Sequence, residues 1–534
     1  MTNSSIGWRR SRAWVAMETG LLTVVLTVVL NLALAGAAIA GSDGGGSGGG
    51  ELTSSAPLQP AAGPFPSPPS PGVPRPLTIA TPSEQRLPNG LRVVLATRPG
   101  VRLVTAQLVV LAGAEVDPPQ RAGLASMTAA LLTKGTQRRS GPAQAREAEA
   151  LGGALDSAAG WNQSQLALTV MGSQLDAALA LLADAAMHPT FAAAELERLR
   201  AQSLDALKVT ATQPATLALR ASDRLLFGNH PYGHPLEGTP ASLRRIQRAD
   251  VLALHGAHYR PGNTVLVLAG DLDAATALQL AARHFGTWPA RRDAGSAAPP
   301  LVRQAPLTPR VALAAADWVA IDVPTADQAS VVVATRLAPL DDAQRATAAV
   351  LNTVLGSEFS SRLNQQIRIQ LGLSYGVNSQ LDARPWGGAL RVSVQTRHAS
   401  AADVVLRVQT ELQRLAVEPV PDDELVARKA ALIGNFGRSI ETTAGLAQAL
   451  RALVVAGTPV GELAQHIAAL TAVTSVDVQA FAARQLGVAG QRVVVAGAAS
   501  EFGPALQAQA SAAESVLTTV TPRDLERSDR TSWP

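Results

Sequence analysis

The order of elements in this chain repeats once at a nearly constant offset of roughly 228 residues, and a repeat of that length means two duplicated domains, not a solenoid. The strand-like stretch Val104–Leu111 has its counterpart in Ala329–Thr335, and Gln165–Met171 has its counterpart in Ala389–Thr396. In the last of these, Leu390, Val392 and Val394 alternate with Arg391, Ser393 and Gln395, the period of a half-buried strand. A helix follows in each copy, with Leu175, Ala178, Leu179 and Leu182 on one face before Pro189 in the first, and Val405, Val408, Leu412 and Leu415 in the second. A further helix begins near Glu195 and again near Glu424, and the apolar run Val265–Gly270 returns as Val493–Gly497.

The flanks of this duplicated body have a different composition. Arg9, Arg10 and Arg12 precede the apolar run Leu21–Leu34 and the small-residue stretch Ala38-Ile39-Ala40, the pattern of a secretory signal peptide or an uncleaved membrane anchor. Residues 41–82 are Gly/Ser-rich and then Pro-rich, a composition that cannot bury a core and serves as a tether. The expected organisation is therefore a signal or anchor over 1–40, a linker over 41–82, a first domain over 83–300, a second linker over 301–325, a second domain over 326–512 and a tail over 513–534. With 47% hydrophobic and 16% charged residues the chain is globular, and a net charge of only +4 without a basic stripe gives no nucleic-acid footprint. The absence of cysteine excludes disulfides, a lipoprotein anchor and thiolate metal sites.

Within the first domain, Gly123, Ala125, Lys134, Gly135 and Thr136 frame a helix. Around it stand Leu87-Pro88-Asn89-Gly90-Leu91, the run His230–Pro235 followed by Gly238-Thr239, and Tyr259-Arg260-Pro261-Gly262-Asn263. In that order these segments resemble the insulinase (pitrilysin-type, mitochondrial-processing-peptidase-like) zinc metallopeptidases, over roughly residues 83–510. The resemblance implies an α+β fold of two homologous domains, each an antiparallel sheet backed by helices, enclosing a chamber. In that family the framed helix carries His-x-x-Glu-His, two imidazole ligands one turn apart and a general base, and a later helix supplies a Glu ligand. Here the four positions are Ser126, Ala129, Ala130 and Ala206, and Asp205 points about 100° away from Ala206 around its helix. Neither metal ligands nor a general base remain.

In the second domain, Arg368 and the string Gly372-Leu373-Ser374-Tyr375 resemble the family's Arg…Gly-Leu-x-Tyr element, although the acidic residue usual after that Arg is Ile369. The resemblance implies that Arg368 and Tyr375 reach substrate bound at a zinc ion, where a guanidinium and a phenol can stabilise an oxyanion. The histidines offer no replacement metal site. Pro231 and Pro235 exclude the helix that would align His230 with His234, His255 and His258 have no third ligand in sequence reach, and His188 reads as a helix end. The strand at 162–171, which carries the Asn162-Gln163-Ser164 sequon, lines the cleft in the family, and an exposed edge there can add an extended peptide as a further strand.

The resulting expectation is the non-catalytic subunit of a two-chain peptidase, exported to the periplasm or held at the outer face of the inner membrane. It is inactive alone, with no cofactor of its own, and it offers Arg368 and Tyr375 to peptide substrate at the zinc of a heterodimer partner. The alternative is a structural or peptide-binding scaffold of the same fold. A third option, an autonomous zinc peptidase, has the chemistry of the four vacated positions against it.

Overall fold

A computed structural model of the chain describes residue 79 and residues 81–290, 318–487 and 490–526. The signal or anchor, nearly all of the first linker and the second linker up to residue 317 lie outside the described residues. Within them, the first domain builds β1 (Ser83–Arg86), β2 (Arg92–Thr97), β3 (Leu103–Val110), β4 (Asp156–Ala159), β5 (Ser164–Met171) and β6 (Thr264–Gly270) into a six-stranded sheet of order β1-β2-β6-β3-β5-β4. The second domain repeats it with β7 (Trp318–Asp322), β8 (Ala329–Leu337), β9 (Val377–Asp382), β10 (Gly388–Thr396), β11 (Gln491–Gly497) and β12 (Leu517–Val520), in the order β12-β7-β11-β8-β10-β9. The duplication read from the sequence is thus a duplication of topology, strand for strand.

Three features differ from the sequence expectation. The sheets are mixed: β3 pairs antiparallel with β5 and β6, but β2 runs parallel to β6, and β7 runs parallel to β11. The second domain also reaches further in both directions, because β7 lies in the stretch assigned to the linker and β12 in the stretch assigned to the tail. Finally, the outermost strand arrives by different routes. In the first sheet β1 joins β2 through the Leu87–Leu91 turn, where Gly90 takes a φ of 95° that a side chain would oppose. In the second sheet β12 comes from the end of the chain and pairs parallel with β7.

Each sheet buries one face beneath its own helices, and the other face is covered by a helix of the opposite domain. Leu217, Leu225, Leu226 and Phe227 of the Pro214–Phe227 helix pack with Val319, Ile321, Val332 and Val494 of the second sheet. Reciprocally, Leu446, Leu450 and Val454 of the Thr443–Ala456 helix pack with Val94, Val109, Val265 and Val267 of the first. Burial on both sides explains why β6 is buried at every position, as the unbroken Val-Leu-Val-Leu run suits. It also overturns the half-buried reading of β10: Arg391, on the face expected to be wet, is only 5% exposed because the Pro214–Phe227 helix lies over it.

Candidate functional site

The frame helix, Leu124–Leu131, is held at its start by two close approaches. Gly123 has a φ of 92°, and a Cβ there would stand 2.8 Å from the Glu237 carbonyl; a Cβ on Gly238 would stand 2.4 Å from the Ala122 carbonyl. The Asp117 carboxylate accepts hydrogen bonds from Gly123 N and Ala125 N, both at 2.9 Å, and so caps the helix from outside. At the far end, Thr136 Oγ1 donates to Asp184 at 2.7 Å, and Arg139 pairs with the same carboxylate. The residues of the frame that persist are therefore the ones that pack the helix in place.

The vacated positions do converge. Ser126 and Ala130 from the frame helix and Ala206 from the Ala193–Thr210 helix line one cleft of about 500 Å³. Ala129 does not line it; that residue is fully buried, and its carbonyl accepts from Ser157 Oγ at 2.7 Å. Ser126 Oγ donates to the Leu236 carbonyl at 2.8 Å, so the one hydroxyl among these positions is committed to the backbone. Asp205 turns outward to Lys208 at 2.7 Å. The acidic groups on the cleft wall are Asp223 and Glu237; Asp223 is paired with Arg391, and Glu237 lies 3.9 Å from Arg220. No imidazole lines this cleft, and among the described residues no group of three or more His, Cys, Asp or Glu could hold a metal ion. The residues present do not fit zinc.

Sequence reasoning missed a charge cluster where the two domains meet. Arg391 of β10 pairs with Asp223 of the Pro214–Phe227 helix and lies 3.4 Å from Asp382 of β9, which also pairs with Arg384. The Arg384 guanidinium stacks on Trp161 at 4.4 Å and on Tyr232 at 4.6 Å, and Tyr232 Oη donates to Asn162 at 2.8 Å. Burial raises the Asp223 carboxyl above the usual carboxylate range, while Arg391 and Arg384 pull it back. The only sequence signal was a charged residue on an apolar strand, which looks the same as a solvated one.

Arg368 and Tyr375 sit elsewhere, on an exposed element of the second domain. Arg368 belongs to a π-helical stretch, Asn364–Gln370, and its guanidinium lies 4.5 Å over the ring of Phe359, with no carboxylate partner among the described residues. Asn364 pins the following loop through two 2.9 Å bonds to the backbone of Val377, and Ser374 Oγ accepts from Gly376 N at 3.1 Å. Between these anchors Tyr375 stands 91% exposed, beside the exposed Ile369 and Leu371 of the same element. Arg362, a few residues upstream, is structural: it bridges Glu411 and Glu424.

The histidines behave as expected. His230 and His234 flank a 3₁₀ turn at Pro231–Gly233, His188 ends the Leu175–Met187 helix, and His255 bonds the Ala186 carbonyl at 2.8 Å. On this side of the first sheet the edge strand is β4, since β5 is paired on both sides, and β1 forms the opposite edge.

Beside the cap, Glu115 accepts from Gly113 N at 2.9 Å, and burial pushes its carboxyl up to about 8 from an ordinary 4.5, with Asp117 adding to the rise. The folded chain thus binds this proton more tightly than the unfolded one, so its stabilising contribution is complete below about pH 4.5 and is lost as pH climbs through 8. Glu115→Gln, which keeps an acceptor for Gly113, is expected to raise Tm by roughly 2–4 °C at pH 8.5 and to leave it unchanged at pH 5. Equal effects at both pH values in a thermal melt would refute the assignment.

Comparison with known proteins agrees with this architecture. Residues 92–240 match the family profile described as Insulinase (Peptidase family M16), and residues 245–432 match that of the Peptidase M16 inactive domain. An uncharacterized zinc protease of Mycobacterium tuberculosis is 29% identical over 366 residues, covering 68% of this chain and 82% of that protein. The uncharacterized zinc protease YmxG of Bacillus subtilis is 24% identical over 355 residues, covering 66% of this chain and 83% of its own length. Among solved structures, a peptidase M16 inactive domain from Pseudomonas fluorescens superposes with a TM-score of 0.71 at 25% identity, covering 78% of this chain and 98% of that one. A protease from Helicobacter pylori shares the fold, with a TM-score of 0.72 at 15% identity over 78% of this chain and all of that one. The two family matches together span more than half of the sequence, and the solved structures share the fold over about four fifths of it: the chain belongs to the insulinase family of peptidases, M16.

Proposed function

We propose that this chain is the zinc-less subunit of a two-chain insulinase-family peptidase, exported from the cytoplasm and paired with a subunit that carries the zinc ion. The observation that carries the reading is an asymmetry between the two domains. The cleft that gathers Ser126, Ala130 and Ala206 offers no ligand set, whereas Arg368 and Tyr375 are held on a pinned, exposed element. A phenol at 91% exposure, on a segment that also exposes Ile369 and Leu371, is the composition of a surface that a partner or substrate covers. In the assembled pair, Arg368 and Tyr375 donate hydrogen bonds to the carbonyl of the bound peptide and to the oxyanion that forms as it is attacked. The degenerate first domain shapes the chamber and performs no step of hydrolysis.

A scaffold with no catalytic part is the second reading, and one observation favours it: Arg368 rests on Phe359, as a surface arginine covering an apolar ring does. The two separate on one experiment. The chain is purified from native membranes with its ligand-bearing homologue, and Arg368→Ala with Tyr375→Phe is introduced into the reconstituted pair. Turnover is expected to fall about tenfold or more with assembly unchanged. Unchanged turnover in an intact complex removes the catalytic contribution and leaves the scaffold.

A further inference from the structure

A second cavity adjoins the vacated cleft and shares Leu207 and Arg220 with it. It measures about 100 Å³, and its lining combines His230, His234 and Arg224 with apolar Ala211 and Leu217, together with Pro522 and Leu525 from the segment after β12. The polar side is built around an unmet donor. His230 Nδ1 accepts from Tyr232 N at 3.2 Å, and burial pulls the ring down to about 4, so the imidazole is neutral and its single proton sits on Nε2. That buried Nε2–H has no acceptor. His234 is also neutral, with burial bringing it to about 4, and its neighbour the Pro235 carbonyl can engage only one of its two nitrogens. A buried donor without a partner is unfavourable, and an occupant with acceptor oxygens would relieve it. Arg220 supplies the charge, since its nearest carboxylate, Glu237, stands 3.9 Å away and is mostly in solvent.

We propose that this cavity binds a small monocarboxylate with a short apolar tail, its oxygens taken by His230 Nε2–H and Arg220 and its tail by Ala211, Leu217 and Leu525. The volume is that of about three waters, which suits a three- or four-carbon acid. The apolar wall of Ala211, Leu217 and Leu525 favours an acid that carries a tail over inorganic phosphate, which would bury no apolar surface there. Because Pro522 and Leu525 follow β12, occupancy would also fasten the end of the second domain's chain onto the first domain. The proposal does not rest on the two-chain reading above.

Titration calorimetry of the full chain with sodium butyrate tests it, with butyramide and inorganic phosphate as companions. Butyrate is expected to bind saturably with a Kd of about 1 mM, with butyramide and phosphate at least tenfold weaker. Arg220→Gln is expected to weaken butyrate about tenfold. Ala211→Trp, which fills this cavity alone, is expected to abolish binding, and Ala206→Trp, which fills only the neighbouring cleft, to leave it unchanged. No saturation by butyrate, equal binding of butyramide or phosphate, or loss of binding in Ala206→Trp but not in Ala211→Trp would overturn the proposal. Should Ala211→Trp fail to fold, an unweakened Arg220→Gln overturns it equally.

Discussion

Residues 79–290, expressed without the second domain, are expected to yield a chain that does not reach a cooperative native state. Its own helices cover one face of the first sheet, but the other face is closed by Leu446, Leu450 and Val454, which lie beyond the cut. Burying three such side chains is worth about 5–9 kcal/mol, comparable with the whole stability of an ordinary domain. The Pro214–Phe227 helix would meanwhile be left with Leu217, Leu225, Leu226 and Phe227 facing water in place of the second sheet. Two polar ties across the boundary also vanish, the buried Thr105–Thr443 hydroxyl pair at 2.9 Å and the Arg98 bond to the Ile440 carbonyl. The measurement is near-ultraviolet circular dichroism with a urea titration; a sharp transition and native-like aromatic signals from the fragment would show that the exchanged helices are dispensable. The duplicated domains are thus repeats in sequence and topology that share their packing, each sheet closed by a helix of the other.

Arg391→Met should be the most damaging conservative change on the second sheet, at a cost of about 3 kcal/mol or more. Methionine replaces the apolar stem well, so the loss falls on charge. Asp223 would lose its paired cation at the domain boundary, with Arg384 left to serve Asp382, and removing one partner of a buried pair is costlier than removing both. The double variant Asp223→Asn with Arg391→Met is therefore expected to be more stable than Arg391→Met alone. Urea midpoints measured beside the exposed control Lys208→Ala decide it. If Arg391→Met lies within about 0.5 kcal/mol of that control, the cluster has no structural weight.

Much of the fold was legible because local periodicity reports local structure. Val104–Leu111, Gln165–Met171 and Ala389–Thr396 all became strands within a residue or so of the expected ends, and the helices near Glu195 and Glu424 formed as read. The candidate site was legible in a different sense, as side chains that are missing. Ser126, Ala129 and Ala130 could be named from the frame helix and Ala206 from the later helix near Glu195, and the convergence of Ser126, Ala130 and Ala206 on one cleft follows from the way Gly123, Gly238, Asp117 and Thr136 fix the frame helix. Illegible were the β12 strand, four residues long with little pattern, and the charge cluster around Arg391.

Arg391 marks the boundary between the two kinds of information. By itself the sequence determined the duplication and the order of elements, because both are properties of residue type and spacing along the chain; Ser126, Ala129, Ala130 and Ala206 gained meaning only through the family resemblance that places metal ligands and a base there. Only the tertiary structure decided what covers the second face of each sheet. Alternation in β10 says that one face is apolar; it carries no record of a helix almost 170 positions upstream that supplies an aspartate to the other. That pairing is a contact between distant segments, fixed by how two sheets exchange helices, and no local period can encode it.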